Sequence, residues 1–155
     1  MNVEEVVQML FVLVSQFNIS YKQQNIGKSA IFEIQKFGVK IVYLDGQEFD
    51  KRVLDGWYVA WIHPDYDLKE AREKIVWALV RGGYFHYLRT AYKKTFGSMI
   101  SSQGWDRLLI EYRMKLFKNE PKYAYQREIN EDAIKMSPSY LMSLDPGFFD
   151  WLVEG

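Results

Sequence analysis

The first apolar positions along the chain recur at helical spacing. Residues 3–17 carry hydrophobic side chains nearly all the way around a helical wheel. Asn2 can cap this helix, and Glu4 and Glu5 lie in the first turn, where the helix dipole favours negative charge. The pattern predicts a helix that is central in the core or forms a partner surface, and the core is the more frequent case. Residues 18–29 are polar and include Gly27, so we expect a loop there.

Alternating apolar and polar residues follow this loop. Residues 30–36 and 39–44 have the two-residue period of half-buried strands, and Phe37 and Gly38 are predicted to form the turn between them. The pair Asp45-Gly46 is typical of a two-residue hairpin turn, which predicts a return strand at 47–49. Residues 57–62 are a further strand candidate. We therefore expect an antiparallel β-meander of three or four strands.

The remaining pattern is helical. Asp67 precedes a helix predicted at 68–80, with Glu70 at capping-box spacing. The apolar stripe of residues 84–96 is roughly opposite in phase to that of residues 68–80, so we predict a kink or a new helix at Gly82-Gly83. Further predictions are a core helix at 105–118, a short helix near 128–135, and an apolar turn at 148–153 that docks onto the body.

Together these elements predict an α+β fold, in which a small antiparallel meander packs with four or five helices in a single domain, 1–155. The 155 residues are 48% hydrophobic and 17% aromatic, which is typical of a chain with a real core. The chain has no cysteine, which excludes disulfides, thiolate nucleophiles and cysteine-bound zinc. Its apolar runs are too short for a membrane span, and Glu4 and Glu5 are unlike a signal peptide, so we expect a cytoplasmic, intracellular protein without a membrane partner.

Charge is unevenly distributed, although the formal net charge is zero. Residues 81–118 contain eight Lys and Arg against two Asp and Glu, a net charge of +6, whereas residues 1–80 carry −2 and residues 119–155 carry −4. A separate basic segment favours an anionic partner. The alternative is that the basic and acidic segments pack beside each other and neutralise each other.

One helix face collects part of this positive charge. On a helical wheel of residues 84–96, one arc is wholly polar and carries no carboxylate. The Lys and Arg side chains on this arc can bind phosphate by charge and by hydrogen-bond geometry. The Gly82-Gly83 backbone and the N-terminus of a new helix could add to the site. The alternative is an ordinary solvated basic face. We predict nucleic-acid contacts by Arg81, His86, Arg89, Lys93 and Lys94, with Thr90 on the same arc and support from Arg107, Arg113, Lys115 or Lys118.

Carboxylates near the predicted hairpin are the second candidate site. Converging carboxylates could hold a divalent cation for phosphodiester hydrolysis. The strand spacing of an acidic residue, one residue and Lys that many such nucleases use is absent, because Gln35 and Asp50 occupy the Lys position. Turns and a helix cap explain three of the carboxylates without chemistry, so no metal site or cofactor is predicted. The group consists of Glu33, Asp45, Glu48, Asp50, Asp55, Asp65 and Asp67.

Two further residue types are candidates for catalytic groups. His63 lies at a predicted strand end beside acidic residues and could act as a general base, but a lone histidine is more often structural. Tyr84, Tyr87 and Tyr92 share the apolar phase of their helix, which favours the core over a nucleophile. No sequence motif names a reaction, so the sequence leaves catalysis undecided.

These observations predict a nucleic-acid-binding protein of low sequence specificity that contacts the phosphate backbone. Neutralising five phosphates of duplex DNA corresponds to a log–log salt slope of roughly −4 to −5. The first alternative is a protein-interaction or inhibitor module, such as a small accessory factor of a virus or mobile element, because aromatic residues dominate interface hot spots. A homo-oligomer belongs to the same alternative. The second alternative is a metal-dependent nuclease.

Overall fold

The structure is a computed structural model that describes residues 1–46, 49–97, 99–117 and 135–154. It confirms the α+β fold. Contacts group residues 1–83 and residues 84–154 into two compact units, so the prediction of one domain stays a prediction. None of the described helices is long and apolar enough to cross a bilayer. In chain order the described elements are α1 (Val3–Ser15), β1 (Lys22–Ile26), β2 (Ser29–Ile34), β3 (Val39–Tyr43), β4 (Tyr58–Ile62), α2 (Leu68–Phe96), α3 (Ser102–Phe117), α4 (Pro138–Leu144) and α5 (Pro146–Val153).

The first unit contains a four-stranded sheet in the order β1-β2-β3-β4. The first three strands pair antiparallel, which confirms the meander. β4 instead pairs parallel to β3, with Val39 opposite Tyr58, so the sheet is mixed and the expectation of purely antiparallel strands is corrected. A parallel neighbour requires a crossover connection, and residues 44–57, with a 3₁₀ turn at Lys51–Leu54, supply it.

The predicted hairpin at Asp45-Gly46 is wrong. β3 has β2 on one side and β4 on the other, so the next strand that pairs with β3 after Asp45-Gly46 is the parallel β4 and not an antiparallel return strand. Gly46 bends the chain with a φ of +65°, and Phe49 belongs to no strand. Gln47 and Glu48 lie outside the described residues.

The predicted loop at 18–29 is also wrong, because it contains β1. Ile26 pairs with Ser29, and Gly27, with a φ of +58°, begins the two-residue turn between them. The side chains of Lys22–Asn25 are exposed on both faces of the strand. An edge strand without a buried face has no hydrophobic alternation, which is why the pattern did not show it.

The two central strands form the core of the first unit. Nearly every side chain of β2 and β3 is buried, which agrees with a sheet covered on both faces. On one face Ile31 and Val42 cluster with Leu54 of the crossover connection. The other face carries Phe32, Ile34, Val39 and Ile41, all with no exposed surface.

α1 begins with the predicted cap. The Asn2 side chain accepts from the Glu5 backbone N–H at 3.0 Å, and the Glu5 carboxylate accepts from the Asn2 N–H at 3.2 Å, which forms a capping box. The helix buries one stripe but leaves Phe11 and Val12 on the outside. The buried stripe consists of Val6, Met9, Leu10, Leu13 and Val14.

The prediction at Gly82-Gly83 was a kink or a new helix; α2 is one continuous helix, so the new helix is wrong. Asp67 accepts from the Glu70 N–H at 2.7 Å, as the cap spacing predicted. A Cβ at Gly82 would lie 2.5 Å from Val39 Cγ2 and 2.8 Å from Tyr58 Cβ. The glycine therefore permits close packing of the helix on the sheet and does not end the helix.

The change of apolar phase along α2 has a packing explanation. Its first half buries Ala71, Ile75 and Leu79 within the first unit. Its second half buries Tyr84 and Leu88 within the second unit. Because each half contributes to its own core, one uninterrupted helix can carry both stripes.

The rest of the second unit is helical. α3 agrees closely with the helix predicted at 105–118, and Leu108 and Leu116 are buried as expected. The apolar turn at 148–153 is in fact the helix α5, which begins after Asp145. α4 was not predicted; it begins after Ser137, whose Oγ accepts from the Tyr140 N–H at 3.2 Å. The short helix predicted near 128–135 lies outside the described residues except for Lys135.

Candidate nucleic-acid interface

The second half of α2 is fixed by hydrogen bonds from two buried or half-buried tyrosines. Tyr84 Oη donates to the Asp145 carboxylate at 2.9 Å, and Tyr92 Oη donates to the Glu111 carboxylate at 2.9 Å. Asp145 also accepts from the Gly147 N–H at 2.9 Å and so caps α5. These bonds join α2 to α3 and to the start of α5, and they fix which side of α2 faces the core of this unit.

Aromatic rings pack on the core-facing side of the second half of α2. Tyr84 lies 5.5 Å from Phe148 between ring centroids, and Tyr87 lies 5.6 Å from Trp151. Phe85 makes an edge-to-face contact with Tyr112 at 5.4 Å. Rings at such distances are in the favourable range for aromatic pairs. The aromatics of the basic segment thus build the core of the second unit.

Burial raises the pKa of Tyr84 far above that of an ordinary tyrosine, and its hydrogen bond to Asp145 acts in the same direction. The pKa values of Tyr87 and Tyr92 are raised as well, first by burial and then by neighbouring carboxylates. A nucleophilic tyrosine needs the opposite shift. The environment of these three residues is that of structural, protonated hydroxyls.

The outer arc of α2 in this unit is basic. Lys93 and Lys94 are exposed, and Arg89 and Thr90 are half-buried. Within residues 1–46, 49–97, 99–117 and 135–154, no carboxylate lies within ion-pair distance of Arg89, Lys93 or Lys94. These three cations form the basic face, and their charge is directed to solvent and not to a described acidic residue.

Two other members of the predicted arc are engaged by the fold. The His86 ring lies 5.9 Å from the Trp151 ring, and its backbone carbonyl accepts from Thr90 Oγ1 at 2.9 Å. The Thr90 hydroxyl proton is therefore used within the helix. His86 and Thr90 lie beside the basic face, but its charge comes from Arg89, Lys93 and Lys94.

Arg81 and the glycine pair belong to the first unit. Arg81 is half-buried, and Gly82 and Gly83 are buried. The suggestion that the glycine backbone approaches a phosphate is corrected, since Val39 and Tyr58 occupy the space beside Gly82. There is no helix N-terminus at this point either, because α2 runs through it. The assignment of Arg81 to nucleic-acid contacts stays a prediction.

α3 presents a second surface, which mixes positive charge with apolar side chains. Ile110 and Met114 are one turn apart and 57% and 61% exposed. The side chains of Arg107 and Arg113 are exposed on the same helix. Ile110 and Met114 therefore form an apolar patch on the surface of α3. Lys115 is exposed too, whereas Lys118 lies outside the described residues.

The candidate carboxylates do not assemble into a site among the described residues. No three His, Asp or Glu side chains there converge as a metal site would require. Asp50 forms an ion pair with Arg52 at 2.8 Å, which lowers the pKa of its carboxyl, and Asp67 caps α2. His63 is exposed, with its ring 5.2 Å from that of Tyr66. Glu48 lies outside the described residues.

Comparisons with known proteins find no matching family model, no matching curated protein and no matching solved structure.

Proposed function

We propose that this protein binds the phosphate backbone of nucleic acids through the basic face, with low sequence specificity. The observation that carries the proposal is the position of three cations on one arc of α2 without a described carboxylate partner: Lys93 and Lys94, which are exposed, and Arg89, which is half-buried. Cations on a helix surface attract a polyanion and release its counterions on binding. The net charge of +6 over residues 81–118 adds a longer-range attraction of the same sign.

The chemistry of the face fits phosphate contacts better than base recognition. Lysine ammonium groups bind phosphate as point charges, and one arginine adds a planar pair of donors. Sequence-specific readout needs side chains such as Asn, Gln or Arg placed against base edges. The arc offers one Arg, two Lys and a Thr whose proton is used within the helix. A protein without cysteine needs no oxidising compartment, which supports an intracellular setting for this function.

The experiment compares three proteins by fluorescence anisotropy with a labelled duplex DNA at fixed low salt. In the test variant Arg89, Lys93 and Lys94 are all replaced by Gln. In the control variant Lys28, Lys69 and Arg72 are replaced by Gln, which removes the same charge from exposed positions of the first unit. We expect the test variant to bind at least about tenfold more weakly and the control to bind within about twofold of the wild type.

A protein-interaction module is the second candidate function, and the exposed pair Ile110 and Met114 favours it. Large apolar side chains flanked by arginine are typical of the core of an interface. Light scattering after gel filtration, with and without nucleic acid, separates the two candidates. The second function would be supported by an oligomer or protein complex that is insensitive to salt and does not bind DNA or RNA. The Ile110→Gln, Met114→Gln double variant should not form that complex.

A further inference from the structure

β1 is an open edge of the sheet. Among the described residues it pairs with β2 alone, and the side chains of Lys22–Asn25 are exposed. Such a strand presents a row of backbone donors and acceptors that can pair with another strand. The opposite edge strand, β4, is half-buried and ends in buried Ile62, so β1 is the more accessible of the two edges.

The sequence of β1 is compatible with pairing to itself. In an antiparallel pair centred on Gln24, Gln24 faces its own copy, Gln23 faces Asn25 of the second copy, and Lys22 faces Ile26 of the second copy. No two like charges are opposite each other in this register. Like charges directly opposite would be destabilising, so the strand lacks the usual electrostatic obstacle to self-pairing.

Apolar surface adjoins this edge. A groove of about 340 Å³ lies between the second half of α1 and the segment that leads into β1. Phe11 lines it and is 61% exposed, and its neighbour Val12 is 68% exposed. Burying the Phe11 side chain would add a hydrophobic contribution to the strand pairing. The groove is lined by Phe11, Val14, Ser15, Asn18, Ile19, Ser20 and Tyr21.

We propose that two copies of this chain associate through antiparallel pairing of their β1 strands, with the groove margin beside α1 as the apolar part of the interface. The two-fold axis passes by Gln24, and the two sheets continue into one. Such an isologous contact closes after two copies, since each β1 edge is used once. The inference rests on the first unit alone and is independent of nucleic-acid binding.

Charge-swap variants at Gln24 test the register. Sedimentation over a concentration series is measured for the wild type, for Gln24→Lys, for Gln24→Glu and for an equal mixture of the two variants. We expect a wild-type dimer, dimerisation weakened roughly two- to tenfold in each variant alone, and dimerisation restored in the mixture. Gln24 is exposed, so neither substitution disturbs the fold of one copy.

Gln35→Lys is the matched control, because Gln35 is exposed in the same unit but outside β1. It should dimerise as the wild type does. A wild type that stays monomeric at every concentration overturns the proposal. So does a dimer that responds equally to Gln24→Lys and Gln35→Lys, or a mixture that dimerises no better than its two components.

Discussion

Tyr84 Oη donates a 2.9 Å hydrogen bond to Asp145, whose other carboxylate oxygen accepts from the Gly147 N–H. Asp145 thus joins the second half of α2 to the start of α5. Tyr84 has no exposed surface, so water could not easily replace its hydrogen-bond partner if this bond were broken. The hydrogen bond is therefore expected to contribute to the stability of the second unit, which holds the basic face.

Tyr84→Phe should lower the free energy of unfolding by about 1–2 kcal/mol, because it leaves one carboxylate oxygen of Asp145 without its donor. Urea denaturation followed by circular dichroism measures the change. Tyr66→Phe is the control, since no hydrogen bond of the Tyr66 hydroxyl exists among the described residues. Equal losses in the two variants would mean that the Asp145 bond contributes nothing.

The raised pKa of Tyr84 predicts a loss of stability at alkaline pH. In the unfolded chain tyrosine ionises near pH 10, whereas burial and Asp145 keep Tyr84 protonated in the fold. The folded state therefore binds more protons above pH 10, and stability that is present below that pH falls as pH rises. Tyr140, whose pKa burial raises to about 12, acts in the same direction between pH 10 and about 12. Urea denaturation midpoints measured at pH values from 8 to 11 should fall less steeply with rising pH in the Tyr84→Phe variant than in the wild type.

At the start of α5, the backbone of Gly147 lies close to the side chain of Tyr87. A Cβ at Gly147 would lie 2.5 Å from Tyr87 Oη and 3.6 Å from Tyr87 Cζ. Gly147→Ala should therefore destabilise the protein by about 1–3 kcal/mol. Tyr87→Phe removes the obstructing hydroxyl, so the double variant should recover most of that loss. A double-mutant cycle by urea denaturation measures this coupling, and strictly additive effects would contradict it.

A clash at Gly82 should be harder to relieve by a second substitution, because the atoms that an added Cβ would meet belong to two different strands of the sheet. Val39 Cγ2 and Tyr58 Cβ belong to the sheet and lie 2.5 and 2.8 Å from the added methyl group. Gly82→Ala should cost about 1–3 kcal/mol, although alanine favours a helix by about 1 kcal/mol over glycine. Val39→Ala in the same chain should relieve only part of the clash. Thermal unfolding of the three variants tests this, and a stabilised Gly82→Ala would show that the packing is looser.

Sequence patterns found the elements whose apolar residues recur at a regular spacing, although β2 and β3 are buried on both faces and not half-buried as predicted. α1, α3, β2 and β3 all have an apolar period, and the Asn2 and Asp67 caps follow from residue type and spacing. The patterns could not distinguish a glycine that ends a helix from one that permits close packing, because that depends on Val39 and Tyr58, which are distant in sequence. The parallel pairing of β4 was not predicted either, because it also depends on contacts between residues that are distant in sequence.

Some missed elements carried a local signal. Ser137-Pro138 and Asp145-Pro146 each place a capping residue before a proline in the first turn, which is typical of a helix start. Gly27-Lys28 could have indicated the two-residue turn after β1. The exposed positions of Lys93 and Lys94 were predicted from helical phase. The engagement of His86 with Trp151 was not, since it depends on where α5 packs.

The most direct test of the central claim is the salt dependence of duplex DNA binding. Each phosphate neutralised by the basic face contributes roughly −0.9 to the slope of log K against log salt concentration. Replacing Arg89, Lys93 and Lys94 with Gln should therefore make the slope shallower by about 2.7. The Lys28, Lys69 and Arg72 control should keep the wild-type slope. Equal slopes for wild type and test variant, or an equal change in test and control variants, would contradict phosphate binding by the basic face.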